Sequence, residues 1–268
     1  TVEQALRGCR VVPLGAMPYV LVAEAGFARE RCPQGLTPHN FRDIPFVAFD
    51  RKDDMQSEFV GKVFGLPRVA LTQMFVPSSE GQLRAGFISS ARGTALSTLF
   101  ESGGYRLKFP RGDVCEAVLV NTGGGMVGGD RLAIDFQFEE QTAAVITTQS
   151  AEKIYRADGQ MSEIDIALTL GAQAKVNWLP QDMILFSGAR LSRRFIVTMA
   201  AGASLTLFES TIFGRVAMGE RVKEGLFRDH WRIRREGRLI FADDVMIDHD
   251  IAAQLDRKAM GDGARAIG

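Results

Sequence analysis

Residues 121–130, NTGGGMVGGD, have the composition of a backbone cradle for an anion. They contain five of the 28 glycines of the 268-residue chain and end on a carboxylate. Gly123, Gly125 and Gly128 have the spacing of a dinucleotide turn, which holds a pyrophosphate against the N-terminus of a following helix. Here an alternating strand pattern follows at residues 132–138. The segment therefore favours a tight crossing of two strands, in which Asp130 bonds backbone N–H groups of the turn.

Side chains that bind metals or perform covalent catalysis are sparse. The chain has three histidines and three cysteines, without HxxxH or CxxC spacing, which argues against a closed structural zinc site. His249 and Asp248, in the acidic stretch at residues 243–250, are weak candidates for transient metal coordination, and a solvated acidic loop is the favoured alternative. The sequence places no Ser–His–Asp or Cys–His set, so we expect no enzyme.

Three further blocks combine charged residues with glycine, proline and aromatic residues. They are TTQSAEKIYR (147–156), WLPQDMILFSGARL (178–191) and FGRVAMGE (213–220). Arg190, Arg193 and Arg194 form a small basic cluster that we expect on a solvated face. A second basic stripe, on one face of a strand at residues 226–235, lacks interleaved aromatic residues and gives little support for nucleic-acid binding.

The composition argues against a nucleic-acid-binding protein and against a membrane-spanning protein. Lys plus Arg equals Asp plus Glu, 32 against 32, so no net charge attracts nucleic acid or an anionic membrane. The chain is 46% hydrophobic, yet no apolar run approaches the ~20 residues that span a bilayer. The scattered cysteines are typical of reduced thiols, so we expect a cytoplasmic protein.

The pattern of secondary structure changes near residue 80. Before it, a short apolar run at residues 45–49 and a helix start at the acidic pair 53–54 indicate a partial α/β segment. After it, alternating apolar residues recur between glycine-containing turns, which predicts a mainly β fold with few helices.

An internal repeat supports the β prediction. Short strands that begin at Thr142, Gly171 and Gly202 recur about every 30 residues, and a poorer fourth copy begins at Gly237. A period of this length built from strands favours stacked, solenoid-like sheets. The alternative is a β protein whose turns are only loosely regular.

The four blocks in this order resemble the UreD (UreH) family of urease accessory proteins, from about residue 82 to the end. The matching segments are NTGGGMVGGDRL, TTQSAEKIYR, WLPQDMILFSGARL, and FGRVAMGE followed by FRDHWRIRREGRLIFAD. The resemblance implies a mainly β protein of stacked sheets and a chaperone role without catalysis. In that role the protein binds apo-urease and, with UreF, docks the GTPase UreG so that nickel reaches the urease active site. We expect a UreD-like β domain at residues 81–268, truncated at its C-terminus.

The resemblance also implies how the metal is handled. Nickel is expected to pass through the interior, with at most a transient Ni²⁺ and no tightly bound cofactor. Asp182 stands where the family usually has Glu. The charged residues of the matching blocks are the candidates for partner contacts or the nickel path: Asp130, Glu152, Arg156, Asp182, Arg190, Glu209, Arg215 and Glu220.

Residues 1–80 resemble a different family. GCRVVPLGAMPYVLVAEAGFA, QGLTPHNFRDIPFVAFDRKDDMQ and FVPSSEG are similar to part of the effector-binding domain of LysR-type regulators, close to the ArgP group. A fragment of that domain cannot close a two-lobed cleft and buries little surface. The alternative function is thus a LysR-type transcriptional regulator fragment with no independent DNA binding, and we expect residues 1–80 to be a fused remnant.

Overall fold

The computed structural model describes residues 20–48, 55–67, 69–75 and 80–268. The chain divides into two compact units, Thr1–Val76 and Pro77–Gly268. The assignment of residues 1–80 to a regulator-like remnant stays a prediction. Within the described ranges, no helix is both long and apolar enough to cross a membrane.

The first unit mixes helices and strands around a small apolar core. Its elements are α1 (Ala25–Arg31), β1 (Pro45–Ala48), α2 (Met55–Phe64) and β2 (Thr72–Phe75). α1 begins where the Glu24 carboxylate accepts hydrogen bonds from the N–H groups of Gly26 and Phe27, each at 2.7 Å, which caps the helix. β1 and β2 pair in parallel. The buried residues of this unit's core are Phe41, Ile44, Phe46, Val60 and Val69.

The second unit is built almost entirely of strands. They are β3 (Glu80–Ser90), β4 (Gly93–Ser102), β5 (Tyr105–Lys108), β6 (Cys115–Asn121), β7 (Arg131–Phe138), β8 (Ala143–Thr148), β9 (Glu152–Ile154), β10 (Ser162–Leu170), β11 (Lys175–Trp178), β12 (Met183–Leu185), β13 (Arg190–Met199), β14 (Ser204–Leu207), β15 (Thr211–Phe213), β16 (Leu226–Arg235), β17 (Arg238–Asp248) and β18 (Ala266–Ile267). A 3₁₀ turn (Val216–Met218) and α3 (Ile251–Leu255) interrupt them.

Within residues 80–268, these strands form three sheets in which successive coils of the chain stack in parallel. The largest sheet has the order β17-β16-β13-β10-β7-β3-β4, the second β14-β11-β8-β6-β5, and the third β18-β15-β12-β9. Each coil contributes one strand to each sheet: β7, β8 and β9 make one coil, β10 to β12 the next, and β13 to β15 the third. Antiparallel strands lie at the edges of the sheets. The predicted mainly β fold of stacked, solenoid-like sheets is confirmed.

The sequence repeat corresponds to the second sheet. β8, β11 and β14, which begin one, four and two residues after Thr142, Gly171 and Gly202, pair in parallel. The fourth copy predicted at Gly237 is wrong, because the residues after it form β17, antiparallel to β16 in the largest sheet. Glu236 and Gly237 both have positive φ, 50° and 78°, which is typical of a two-residue hairpin turn that reverses the chain.

Period-two alternation determines which residues face the interior. On the largest sheet, one inward row consists of Leu132, Ile164, Arg193 and Asp229, neighbours in register on β7, β10, β13 and β16. The row is apolar in the first coils and charged in the last two. The next inward row of the same sheet, which contains Phe195 and Trp231, stays apolar.

Candidate functional site

The glycine-rich segment is a close crossing between β6 and β7. The Asp130 carboxylate, 8% exposed, accepts a hydrogen bond from the Val127 N–H at 2.8 Å, as its expected role in the turn requires. A Cβ on Gly125 would lie 2.4 Å from Cε2 of Tyr155 and 2.7 Å from the carbonyl oxygen of Lys153. The glycines let the next coil pass close to this backbone, and a strand follows them. The segment is therefore not a dinucleotide-binding turn, which needs a helix there.

Replacing Gly128 with Ala tests this close approach. The new Cβ would lie 2.7 Å from the Cβ of Ala157 and 2.7 Å from the carbonyl oxygen of Gln160, so we expect a loss of about 1–3 kcal/mol in the free energy of unfolding. Gly123→Ala is the matched control, because its Cβ would lie 3.2 Å from the Asn121 side-chain oxygen and 3.9 Å from the Gly125 carbonyl oxygen. Urea denaturation of both variants measures the difference, and equal losses would contradict the role of close packing.

A cavity of about 90 Å³ lies inside the solenoid, and we call it the inner cavity. Part of its polar wall comes from three strands. Asn121, at the end of β6, donates its amide N–H groups to Glu152 Oε1 of β9 at 2.9 Å and to the Tyr105 hydroxyl of β5 at 3.1 Å. A water centre needs only roughly 10–15 Å³ of space, so the cavity has room for a small hydrated species. The apolar wall includes Leu119, Leu132, Ile134, Ile164, Ile166 and Met183.

Burial changes the acidity of Glu152 and Tyr105. Burial raises the pKa of Glu152 to about 7, although hydrogen bonds from the Asn121 amide and the Lys153 N–H oppose the shift. Burial, then the negative charges of Glu152 and Asp130, raises the pKa of Tyr105. Glu152 consequently changes charge near neutral pH, whereas Tyr105 keeps its proton.

A second polar cluster, the Arg193 cluster, borders the inner cavity. Arg193 is 5% exposed, and its guanidinium bonds the carboxylates of Asp229, with Nε to Oδ1 at 2.9 Å, and Glu209. The other Glu209 oxygen accepts the indole N–H of Trp178 at 2.6 Å. The guanidinium carbon also lies 5.3 Å from the ring centroid of Trp231. The expectation that Arg193 lies on a solvated face is wrong, because the alternation of β13 turns it inward and two carboxylates compensate its charge.

Arg215 and Glu220 fasten two of the sequence blocks to each other. The Glu220 carboxylate accepts hydrogen bonds from Arg215 Nε at 2.7 Å and from the Ser187 N–H at 3.1 Å. The Arg215 guanidinium carbon lies 4.6 Å from the ring centroid of Phe186. Burial would raise the pKa of Glu220, but these hydrogen bonds hold it below its usual value. The pair is a structural clamp between the loops that follow β12 and β15.

The other three predicted residues do not join this clamp or line the inner cavity. Asp182 is exposed and accepts a hydrogen bond from the Ser210 hydroxyl. Arg156 is exposed, and its backbone forms a bridge with Ala189. Arg190 is half-buried at the start of β13, where its Nε has no hydrogen-bond partner among the described residues. The structure thus brings only Glu152 and Glu209 of the predicted set to the inner cavity.

The weak metal candidates are the last residue of β17, Asp248, and the first residue of the turn after it, His249. His249 has a positive φ of 56°, and Asp248 Oδ1 accepts a hydrogen bond from the Gln254 side-chain amide at 3.4 Å. In the part of the chain that the structure describes, no three His, Cys, Asp or Glu side chains are grouped to hold a metal ion. These residues offer no closed metal centre.

Sequence reasoning missed Asn121, Tyr105 and Asp229 as site residues. Asp229 could be found, because it shares the inward face of β16 with Phe227 and Trp231, and a carboxylate on a core face requires a buried cation. Asn121 and Tyr105 meet Glu152 only because their coils stack. No sequence pattern near these residues predicts that contact.

Comparison with known proteins points to one family. The family profile described as UreD urease accessory protein matches residues 79–268. The chain is 48% identical over 192 residues to the urease accessory protein UreD of Methylobacterium sp. (strain 4-46), which covers 70% of this chain and 68% of that protein. It is 50% identical over 177 residues to UreD of Rhodopseudomonas palustris (strain BisA53), covering 65% of this chain and 62% of the relative. The chain therefore spans about two thirds of the length of these relatives, and the regulator-like resemblance of residues 1–80 gains no support.

Proposed function

The chain belongs to the UreD family of urease accessory proteins, and on that premise we propose that it is a cytoplasmic scaffold of urease maturation, without catalysis of its own. In this role it binds apo-urease and, together with UreF and UreG, lets nickel reach the urease active site. Nickel is the cargo of the protein. It passes transiently through the interior of the solenoid.

The observation that supports a nickel path is the ionisable wall of the inner cavity. Glu152 faces a space of about 90 Å³ whose wall also includes Lys153 and the Arg193–Glu209 pair. A buried carboxylate is costly unless a cation or donor satisfies it, and carboxylate oxygen is a ligand that divalent first-row metals accept. A passing Ni²⁺ favours the anionic form of Glu152 and compensates its burial.

Transient passage also fits the arrangement of the ligands. A tight site needs several convergent side chains, and the described residues provide no group of three His, Cys, Asp or Glu. Glu152 and Glu209 instead lie at separate points on the wall of the same cavity. Successive weak contacts of this kind let an ion enter and leave, which is what conduction through a protein requires.

For the partners, we propose the surface around the third sheet. Arg156 follows β9, Asp182 precedes β12 and Arg215 follows β15, and all three side chains are exposed. Exposed charges of both signs guide association and set which partner fits. This surface therefore suits contact with UreF or with apo-urease.

Co-expression with the urease subunits, UreF and UreG tests the proposal. The tagged chain is expected to co-purify with its partners and to yield active urease in cells supplied with nickel. Glu152→Gln should keep the complex but lower urease activity severalfold, because the cavity loses its anionic ligand. Glu163→Gln is the control, since Glu163 lies on the outer face of β10 beside Arg131, 3.5 Å away, and should leave activity unchanged. A folded chain that captures no partner and yields no active urease would contradict the proposal.

A further inference from the structure

Arg193 lies where two cavities of the solenoid adjoin. Beyond the inner cavity, a second space of about 300 Å³ lies against the last coil and β17 and is open to solvent at the exposed Phe208 and Phe241, and we call it the end cavity. Its walls include Trp231, Phe241 and Asp243. Arg193 and Glu209 belong to the walls of both cavities. The Arg193 cluster therefore separates the two spaces.

The charges of this cluster suit exchange with a cation. One guanidinium serves two carboxylates, those of Glu209 and Asp229, and all three side chains are at most 8% exposed. With all three groups ionised, one positive charge faces two negative charges. A divalent cation compensates both carboxylates fully, so it competes with the guanidinium for them.

We propose that Arg193 is a gate between the inner and end cavities. Its guanidinium releases the carboxylates of Glu209 and Asp229 when a divalent cation passes, and then binds them again. The proposal rests on the proposed function, in which a divalent cation, nickel in the cell, passes through the interior. The Trp231 ring lies 5.3 Å from the guanidinium carbon while Arg193 bonds both carboxylates, so the cation–π contact favours the return of the side chain to this position. Arg193 is thus a positioning residue that keeps the crossing reversible.

If this is so, a chain without the Arg193 side chain should retain the cation at the point where the wild-type chain lets it pass. Two buried carboxylates without a counter-ion are strongly unfavourable, and a divalent cation relieves that cost. The wild-type chain should release Ni²⁺ because Arg193 returns to its partners. A chain without the guanidinium should hold the ion between Glu209 and Asp229.

The test measures nickel bound by the purified full chain, with NiSO₄ as the probe. Arg193→Gln is expected to retain nickel after desalting and to bind it at least about tenfold more tightly than wild type in calorimetric titration. Arg193→Lys keeps the positive charge, so it should fold, yet a single ammonium cannot fork to both carboxylates. This variant should bind nickel with an affinity between those of wild type and Arg193→Gln.

A triple variant identifies the ligands. Adding Glu209→Gln and Asp229→Asn to Arg193→Gln removes both carboxylates and should return nickel retention to the wild-type level. If neither single variant binds nickel more tightly than wild type, or if the triple variant keeps the tighter binding, the gate is overturned. The titration needs no urease, so its failure is distinguishable from a failure in urease maturation, which co-expression measures.

Discussion

Replacing Arg193 with Met should lower the free energy of unfolding of the second unit by about 3–5 kcal/mol. Met keeps most of the side-chain volume but leaves the carboxylates of Glu209 and Asp229 buried without a cation. The loss of packing against Trp231 adds a smaller cost. Urea denaturation in the presence of a chelator measures the effect, because the chelator prevents a stray metal ion from replacing the guanidinium.

Two controls separate the charge effect from a general sensitivity of β13. Arg194→Met changes the adjacent residue, whose guanidinium is 61% exposed and 2.9 Å from Asp165, and should cost less than about 1 kcal/mol. Adding Glu209→Gln and Asp229→Leu to Arg193→Met should recover most of the lost stability, since a neutral, well-packed set replaces the broken ion pairs. The amide oxygen that Glu209→Gln introduces still accepts the Trp178 indole N–H. A triple variant as unstable as Arg193→Met alone would contradict the role of the ion pairs.

The neighbours Arg193 and Arg194 also show how far the sequence leads. The alternation of β13 places Leu191 and Phe195 in the core, and the same period turns residue 193 inward and residue 194 outward. Arginine clusters are usually solvated, and this general rule predicts the wrong environment for Arg193. The alternation of β13 predicts the right one. The partners of Arg193 are residue 209, which lies later in the same coil, and residue 229 on β16. Their meeting depends on the register of stacked strands, which one strand does not encode.

The fold itself was more accessible to sequence reasoning than the site. Repeated short strands after Thr142, Gly171 and Gly202 predicted the stacking, because each coil buries its apolar face against the next. The prediction failed at Gly237, where a hairpin turn reverses the chain. For Glu152, only its place in the block TTQSAEKIYR indicates a role. Its three-residue strand, β9, is too short for periodicity to show that its side chain faces a cavity.

The stability of the wild-type chain should fall, relative to that of Glu152→Gln, as the pH rises from acid to alkaline. Burial raises the pKa of Glu152 from its ordinary value of 4.5 to about 7 in the folded chain. The folded protein therefore binds the proton more tightly than the unfolded chain does. That preference contributes fully below the unfolded pKa and is lost as the pH rises through about 7. The amide of the variant does not titrate. The relative advantage of the variant should grow by roughly 2–3 kcal/mol between about pH 5 and about pH 8.

Chemical denaturation of both proteins at the two pH values measures this change, and the sign of the slope is decisive. Glu163→Gln makes the same substitution on the exposed face of β10, where Glu163 pairs with Arg131 at 3.5 Å, and its stability difference should change by less than about 1 kcal/mol. Added Ni²⁺ should reduce the alkaline disadvantage of the wild type, because a cation in the inner cavity stabilises the ionised carboxylate. A wild-type advantage that grows with pH would mean that Asn121 and the Lys153 N–H stabilise the Glu152 anion more than burial destabilises it. In that case Glu152 is already ionised before a metal ion binds, and the metal ion does not have to displace a proton from its carboxyl group.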